Sequence, residues 1–189
     1  MLVSTSWLAN QGSDPNVLIL HVGDAESYAA GHIPGAFHVV PEEFAQMKLE
    51  SRTLEMGTAT ALKEYLEARG ATPDTTFIVS YEDGWVPFAA RVAVTLRSFG
   101  IAGQVALLDG GEAKWKREGR AITTDIPKAA QRGSLPILSA SEFVVDADFV
   151  RANSANPDFL LVDARAVEFF TGTKDSGAEG HKRRGRIPG

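Results

Sequence analysis

Hydrophobic positions switch repeatedly between two rhythms along the first two thirds of the chain. Residues 16–22 (NVLILHV) form a nearly unbroken apolar run, and residues 76–81 (TFIVSY) form a second, β-branched one. Short runs of this kind read as strands buried on both faces, as in a parallel sheet. Between them, residues 59–69 carry Leu62, Tyr65 and Leu66 at three- and four-residue spacing and stop at Gly70. That is the pattern of an amphipathic helix with a glycine end. A shorter helix is expected after Ser4, a good N-cap, and another over residues 25–30, closed by Gly31. Ile33-Pro34-Gly35-Ala36 has proline and glycine where a type II turn needs them and leads into a strand over residues 36–40. After a loop at 82–87 (EDGWVP) come a helix over 88–99, a strand over 104–108 and a helix over 112–118, with Asp109 expected as its cap. Strands alternating with helices predict an α/β fold whose sheet is parallel or mostly parallel and covered on both faces.

The pattern then starts again. An offset of 142 residues lays residues 3–28 on residues 145–170 without a gap. Val3 falls on Val145, Pro15 on Pro157, Leu18 on Leu160 and Glu26 on Glu168, and the caps Ser4 and Asp146 coincide. GHIPG at 31–35 returns as GRIPG at 185–189, displaced by the longer segment 171–184. A period this long indicates two copies of a domain rather than a solenoid. The expected organisation is a first domain over 1–119, a linker over 120–142 rich in Pro, Gly, Ser and Lys, and an incomplete second domain over 143–189.

Composition narrows the class. With 44% hydrophobic and 23% charged residues the chain has the make-up of a soluble globular protein. A formal net charge of −5 argues against nucleic acid or an anionic membrane as the main partner. No segment reads as a signal peptide or a membrane span, and a cytoplasmic location is expected. There is no cysteine, which excludes disulfides and thiolate metal sites.

Taken in order, GHIPGA, the strand ending at Tyr81, FAARVAVTLRSFG and LLDGGEAKWKREGR resemble a rhodanese domain. The whole chain is similar to the tandem-rhodanese sulfurtransferases, the second half opening with FLLVDARAVEFFTG. The resemblance implies a three-layer α/β/α fold with a mostly parallel central sheet. It also implies transfer of sulfane sulfur from thiosulfate or 3-mercaptopyruvate to cyanide or a thiol through a cysteine persulfide, without a cofactor. The family's nucleophile position falls on Glu82, which cannot carry sulfur. The span from Glu82 to Arg91 is ten residues, longer than the loops of active members. Both features match the family's non-catalytic first domains, so the catalytic cysteine is expected in the second domain, outside these residues, with the first domain packed on it.

Other candidates follow from the same resemblance. Arg165, Arg183 and Arg186 are the expected binders of a small anionic sulfur donor, the last two lying in the basic run 181–186. Glu168 stands where members of the mercaptopyruvate type carry a carboxylate-binding arginine, which favours thiosulfate. Arg165 also has a plain structural reading, as the partner of Asp163. Glu82 and Asp83 read first as solvated loop acids, and Glu82 also as a fixed negative charge facing the N-terminus of the helix over 88–99. Trp85 reads as an interface residue or as local core cover. His21, His32, His38 and His181 are too scattered in sequence for a metal triad, and His32 is expected to bond backbone near its turn. Beside the sulfurtransferase stand a non-catalytic binding or structural module and a related phosphatase.

Overall fold

Parallel pairing of two buried strands organises the first part of the computed structural model, which describes residues 1–12, 14–39, 44, 57–101, 104–140, 144–175 and 184–188. The strands are β1 (Leu2–Val3), β2 (Val17–Val22), β3 (Ala36–His38), β4 (Thr76–Tyr81) and β5 (Val105–Leu108). They form one sheet in the order β1-β5-β4-β2-β3, every pair parallel. The helices between them are α1 (Thr5–Gln11), α2 (Ala25–Ala30), α3 (Ala59–Glu67), α4 (Val86–Ser98) and α5 (Gly111–Arg117). Two further helices, α6 (Ala147–Asn153) and α7 (Val167–Thr171), belong to a separate unit, the chain dividing into Met1–Glu142 and Phe143–Gly189. No helix among the described residues is long and apolar enough to cross a membrane.

Side-chain alternation splits the core into two layers. Leu18, Leu20, Val22, Phe77 and Val79 point to one face and pack with Leu62 and Leu66 of α3 and Ala89, Val92 and Leu96 of α4. Ile19, Ile78, Ala106 and Leu108 point to the other and pack with Leu8 of α1 and Trp115 of α5. This is the expected three-layer α/β/α arrangement.

Local chemistry sets the element ends. Ser4 caps α1 by accepting from the Trp7 N–H, and Thr58 caps α3 in the same way through Ala61. Gly35 adopts φ 80°, and the Ala36 N–H donates to the Ile33 carbonyl at 3.0 Å, closing the expected type II turn. Two boundaries differ from expectation. The fourth helix starts at Val86 rather than 88, because Pro87 sits in its first turn, where a fixed φ and a missing N–H cost nothing. Asp109 is not a cap. Gly110 holds that position with φ 77°, while Asp109 pairs with Lys114 at 2.8 Å. Gly111 also has positive φ, and a Cβ on it would lie 2.5 Å from the Tyr81 carbonyl oxygen. Two glycines in succession therefore push the helix start one residue beyond the aspartate's reach. The last residue of the expected strand over 36–40 lies outside the described residues.

The segment after α5 runs back across its own domain. Thr123 exchanges backbone hydrogen bonds with His32, and Leu135 and Leu138 are buried in the first core layer. Glu67 anchors it: its carboxylate accepts from Lys63, from Arg132 at 3.2 Å and from the Leu135 N–H at 2.8 Å. The Lys63 hydrogen bond, followed by that of Leu135, holds the Glu67 carboxyl at about 2, against an ordinary value of 4.5.

In the second unit Asp146 caps α6 through the Phe149 N–H, as its repeat partner Ser4 does for α1. The apolar run at 159–162 pairs with no strand among the described residues, and Leu160 is 88% exposed.

Two outcomes test this description. A Cβ on Gly133 would stand 2.0 Å from the Ala71 carbonyl oxygen, backbone that cannot rotate away, so Gly133→Ala lowers stability by about 1–3 kcal/mol in chemical denaturation. Glu67, with its depressed native value, stabilises the fold above the unfolded carboxyl's range, and that contribution disappears as pH falls from about 4.5 to about 2. Glu67→Gln therefore flattens the stability-against-pH curve across that window, which urea melts at successive pH values measure.

Candidate functional site at the C-terminal ends of the strands

Ligand-binding crevices of parallel sheets lie beyond the carboxyl ends of the strands, where successive loops leave the sheet. Here β2, β4 and β5 end side by side, followed by Gly23-Asp24, residues 82–85 and Asp109-Gly110. The Glu82 N–H donates to the Val22 carbonyl at 3.1 Å, carrying the β2–β4 ladder one step past the strand. Alternation along 78, 80 and 82 puts the Glu82 side chain on the α5 side of the sheet, away from α4.

There it meets a buried histidine. Glu82 Oε1 lies 3.4 Å from His21 Nε2, and Oε2 accepts from the Asp24 N–H at 3.3 Å. The opposite ring nitrogen, His21 Nδ1, lies 2.9 Å from Glu112 Oε2 in the first turn of α5. The His21 side chain is 0% exposed, that of Glu112 1% and that of Glu82 14%. Burial raises the Glu82 carboxyl above its ordinary range, with His21 pulling the other way. Lys116, 3.3 Å from Glu112 Oε1, is the nearby ammonium. Despite these distances, neither His21 nitrogen, neither Glu112 oxygen nor Glu82 Oε1 has an aligned hydrogen bond among the described residues. A cleft of about 330 Å³ opens above the cluster, lined by Glu82, Glu112, Asp24, Asp83, Trp85 and Lys116. Gly23 makes room for the arrangement, since a Cβ there would lie 2.5 Å from the Glu82 carboxyl carbon.

The second unit has its own concavity, about 580 Å³, lined by Leu161, Val162, Arg165, Phe170, Arg184 and Arg186 among others. Arg165 grips Asp163 through two nitrogens, Nη2 to Oδ2 at 2.5 Å and Nε to Oδ1 at 2.9 Å, and also donates to the Gly185 carbonyl. That hydrogen bonding holds the Asp163 carboxyl at about 2. The Arg186 guanidinium lies 4.4 Å over the Phe170 ring. Arg165 and Arg186 therefore do share a cavity; Arg183 and His181 lie outside the described residues. Glu168 sits in the first turn of α7 and is not in the cavity wall.

A strand-end cleft beside Glu82 on a five-stranded parallel sheet is the context in which comparison decides. The rhodanese-like domain family matches residues 4–118. The chain belongs to that family. It is 31% identical to a probable 3-mercaptopyruvate sulfurtransferase of Pseudomonas aeruginosa, over 90% of this chain and 63% of the relative. A thiosulfate sulfurtransferase of the same organism is 26% identical, over 100% of this chain and 67% of its own length. The crystal structure of the 3-mercaptopyruvate sulfotransferase SseA from Escherichia coli superposes with a TM-score of 0.77 at 25% identity, covering 100% of this chain and 72% of that one. The chain thus spans about two thirds of the length of the sulfurtransferases it resembles.

Within this rhodanese domain, three sequence expectations change. Only residues 82–85 lie between strand and helix, so the ten-residue count to Arg91 included the first turn and more of α4. Glu82 is neither a solvated acid nor aimed at the N-terminus of α4; the pleat turns it toward His21. The described histidines gather around one tyrosine: His32 and His38 stack on Tyr28 with ring centroids 3.7 and 4.9 Å away, and His21 lies 5.1 Å from it and 6.0 Å from His38. Nδ1 and Nε2 of His32 face the Tyr28 and Asp125 carbonyls, as expected of a backbone-bonding residue. His21 meets two glutamates as well, and neither its burial nor Glu112 was foreseen. Their one signal was chemical: an imidazole inside VLILHV and an acid directly after Gly110-Gly111, both at positions the pattern buries. Trp85 is partly buried against the first core layer.

The packing of Glu82 over Gly23 can be measured. Gly23→Ala is expected to cost about 1–3 kcal/mol by forcing the carboxylate off its partners. In a Glu82→Ala background the same change costs less than half as much, a favourable coupling read from the double-mutant cycle. Equal costs in both backgrounds would show that the two positions do not touch.

Proposed function

We propose that these residues are the non-catalytic first rhodanese domain, and the opening of the second, of a tandem sulfurtransferase. The observation that carries this is Glu82 at the strand end where the family's persulfide resemblance places the nucleophile, in a chain with no cysteine. The relatives named thiosulfate and 3-mercaptopyruvate sulfurtransferases support the reaction class. In this reading a cysteine outside these residues carries the sulfane sulfur, a small anion donates it, and cyanide or a thiol accepts it. The first domain packs on the second and does no chemistry. A cytoplasmic setting fits a cysteine-free composition.

For the donor we favour thiosulfate over 3-mercaptopyruvate, because Glu168 stands where members of the mercaptopyruvate type carry the arginine that binds the substrate carboxylate. Arg165 and Arg186, with Arg184, supply the positive charge for either anion. Arg165 is committed to Asp163, so it shapes the cavity by tying Asp163 to Gly185, while Arg186 offers its guanidinium beside Phe170. A purely structural rhodanese module is the second reading, favoured by the contacts of Glu82 with the buried His21 and with the Asp24 N–H.

The mechanism gives Glu82 a clear prohibition. A thiolate is stabilised by neighbouring cations or free backbone N–H groups. Here the cleft presents Asp24, Asp83 and Glu112 against Lys116 and the buried His21. Such a surface disfavours a thiolate and repels dianionic thiosulfate.

Two assays check the proposal. The 189-residue chain makes no thiocyanate from thiosulfate and cyanide above a heat-killed control, whereas the polypeptide extended to the full length of its relatives does. Glu82→Cys gains no sulfur atom by mass spectrometry after exposure to thiosulfate. A persulfide on that variant would mean that charge was never the obstacle and that the first domain is one substitution from activity.

A further inference from the structure

We propose that His21, Glu82 and Glu112 form a binding site for one divalent first-row transition ion of the zinc class, reached from the cleft above them. The proposal does not depend on the sulfurtransferase reading. It starts from three donors delivered by three different elements: an imidazole from β2, a carboxylate from the residue after β4 and a carboxylate from the first turn of α5. One ligand atom from each lies within 4.8 Å of the others. Convergence of buried carboxylates alone would say little. The second observation is that His21 and Glu112, both almost wholly buried, face the cluster with polar atoms that make no aligned hydrogen bond. Buried polar groups are paired in the great majority of cases, and an unpaired one calls for a bound ion or water. Neither close approach, of Glu82 at Nε2 or of Glu112 at Nδ1, is aligned as a hydrogen bond, which leaves these buried polar atoms available to a cation.

The spacing fits such an ion. Two ligands about 2.0–2.1 Å from a tetrahedral centre stand about 3.4 Å apart. His21 Nε2 and Glu82 Oε1 are separated by 3.4 Å. Two ligands of one ion can be no more than about 4.2 Å apart at these bond lengths, so a small inward rotation of the long glutamate side chains closes the shell. Glu112 Oε2 lies 2.9 Å from Nδ1 without an aligned hydrogen bond to it, so its carboxylate is available to the ion. Cleft water completes the coordination. A dication offsets the two carboxylates where burial makes their charge most costly, and Lys116, 42% exposed, is free to swing from Glu112 into solvent. One nitrogen and two oxygens without a thiolate suit Zn²⁺, Co²⁺ or Mn²⁺, and argue against Cu⁺.

The test uses the 189-residue chain, made without a polyhistidine tag, stripped with chelator and titrated with Co²⁺ and then Zn²⁺. The expected result is one saturable equivalent of Co²⁺, seen as a visible absorption band that Zn²⁺ abolishes, with a rise in melting temperature. Glu82→Gln and Glu112→Gln each weaken binding at least tenfold, while Glu64→Gln, at an exposed position of α3, leaves it unchanged. His21→Asn abolishes the band; if that variant does not fold, the two glutamine variants carry the decision. Absence of a saturable band at millimolar Co²⁺ overturns the proposal. So does binding that survives both glutamine substitutions, which would place the ion elsewhere.

Discussion

The register between β2 and β4 governs the rest of this domain. Six residue pairs, from Val17 with Thr76 to Val22 with Tyr81, run in parallel alignment. Because side chains alternate across a sheet, this one pairing decides which layer every neighbouring residue enters. It sends Leu18, Leu20 and Phe77 toward α3 and α4, and Ile19 and Ile78 toward α1 and α5. It also sets His21 opposite Ser80 and puts Glu82 beyond them on the same side. The strand-end cluster is therefore a product of sheet register as much as of local chemistry. A slip of one residue would carry His21 into the aliphatic layer and Glu82 toward α4.

How much of this was legible in the sequence depends on the range of the interactions involved. The Ser4, Thr58 and Asp146 caps, the turn at Gly35 and the helix α3 are each settled by contacts within a few residues. The strands β2 and β4 stand out because both faces are covered and their runs stay apolar. The start of α4 was misplaced because Pro87 reads as a loop residue until its position in a first helical turn is known. Asp109 was misassigned because the backbone constraint at Gly111 comes from Tyr81, thirty residues upstream. The meeting of His21, Glu82 and Glu112 could not be read at all, since it needs three elements and the sheet parity together.

The repeated segment separates the same two ranges within one chain. Residues 145–170 echo residues 3–28, and α6 forms under its Asp146 cap as α1 does under Ser4. The apolar run at 159–162 forms no strand among the described residues, although its counterpart β2 is the centre of the first domain. A helix needs only its own neighbours in sequence, whereas a strand exists only through a partner. At the position equivalent to His21 the second unit has Asp163, tied to Arg165 rather than to glutamates. The repeat thus keeps the capped helix, while the apolar run after it forms no strand among the described residues and the polar residue following that run differs.

The contact between Glu82 and His21 has an evolutionary consequence. Once an imidazole and a second carboxylate are built around an acidic residue, position 82 can no longer drift alone. Any neutral replacement leaves the buried His21 and Glu112 without the carboxylate beside them, so its cost depends on the residues at positions 21, 23 and 112. Such mutual dependence entrenches a residue irrespective of what first selected it. Placing a thiol at this strand end therefore calls for coordinated changes at positions 21, 23 and 112 as well as at 82.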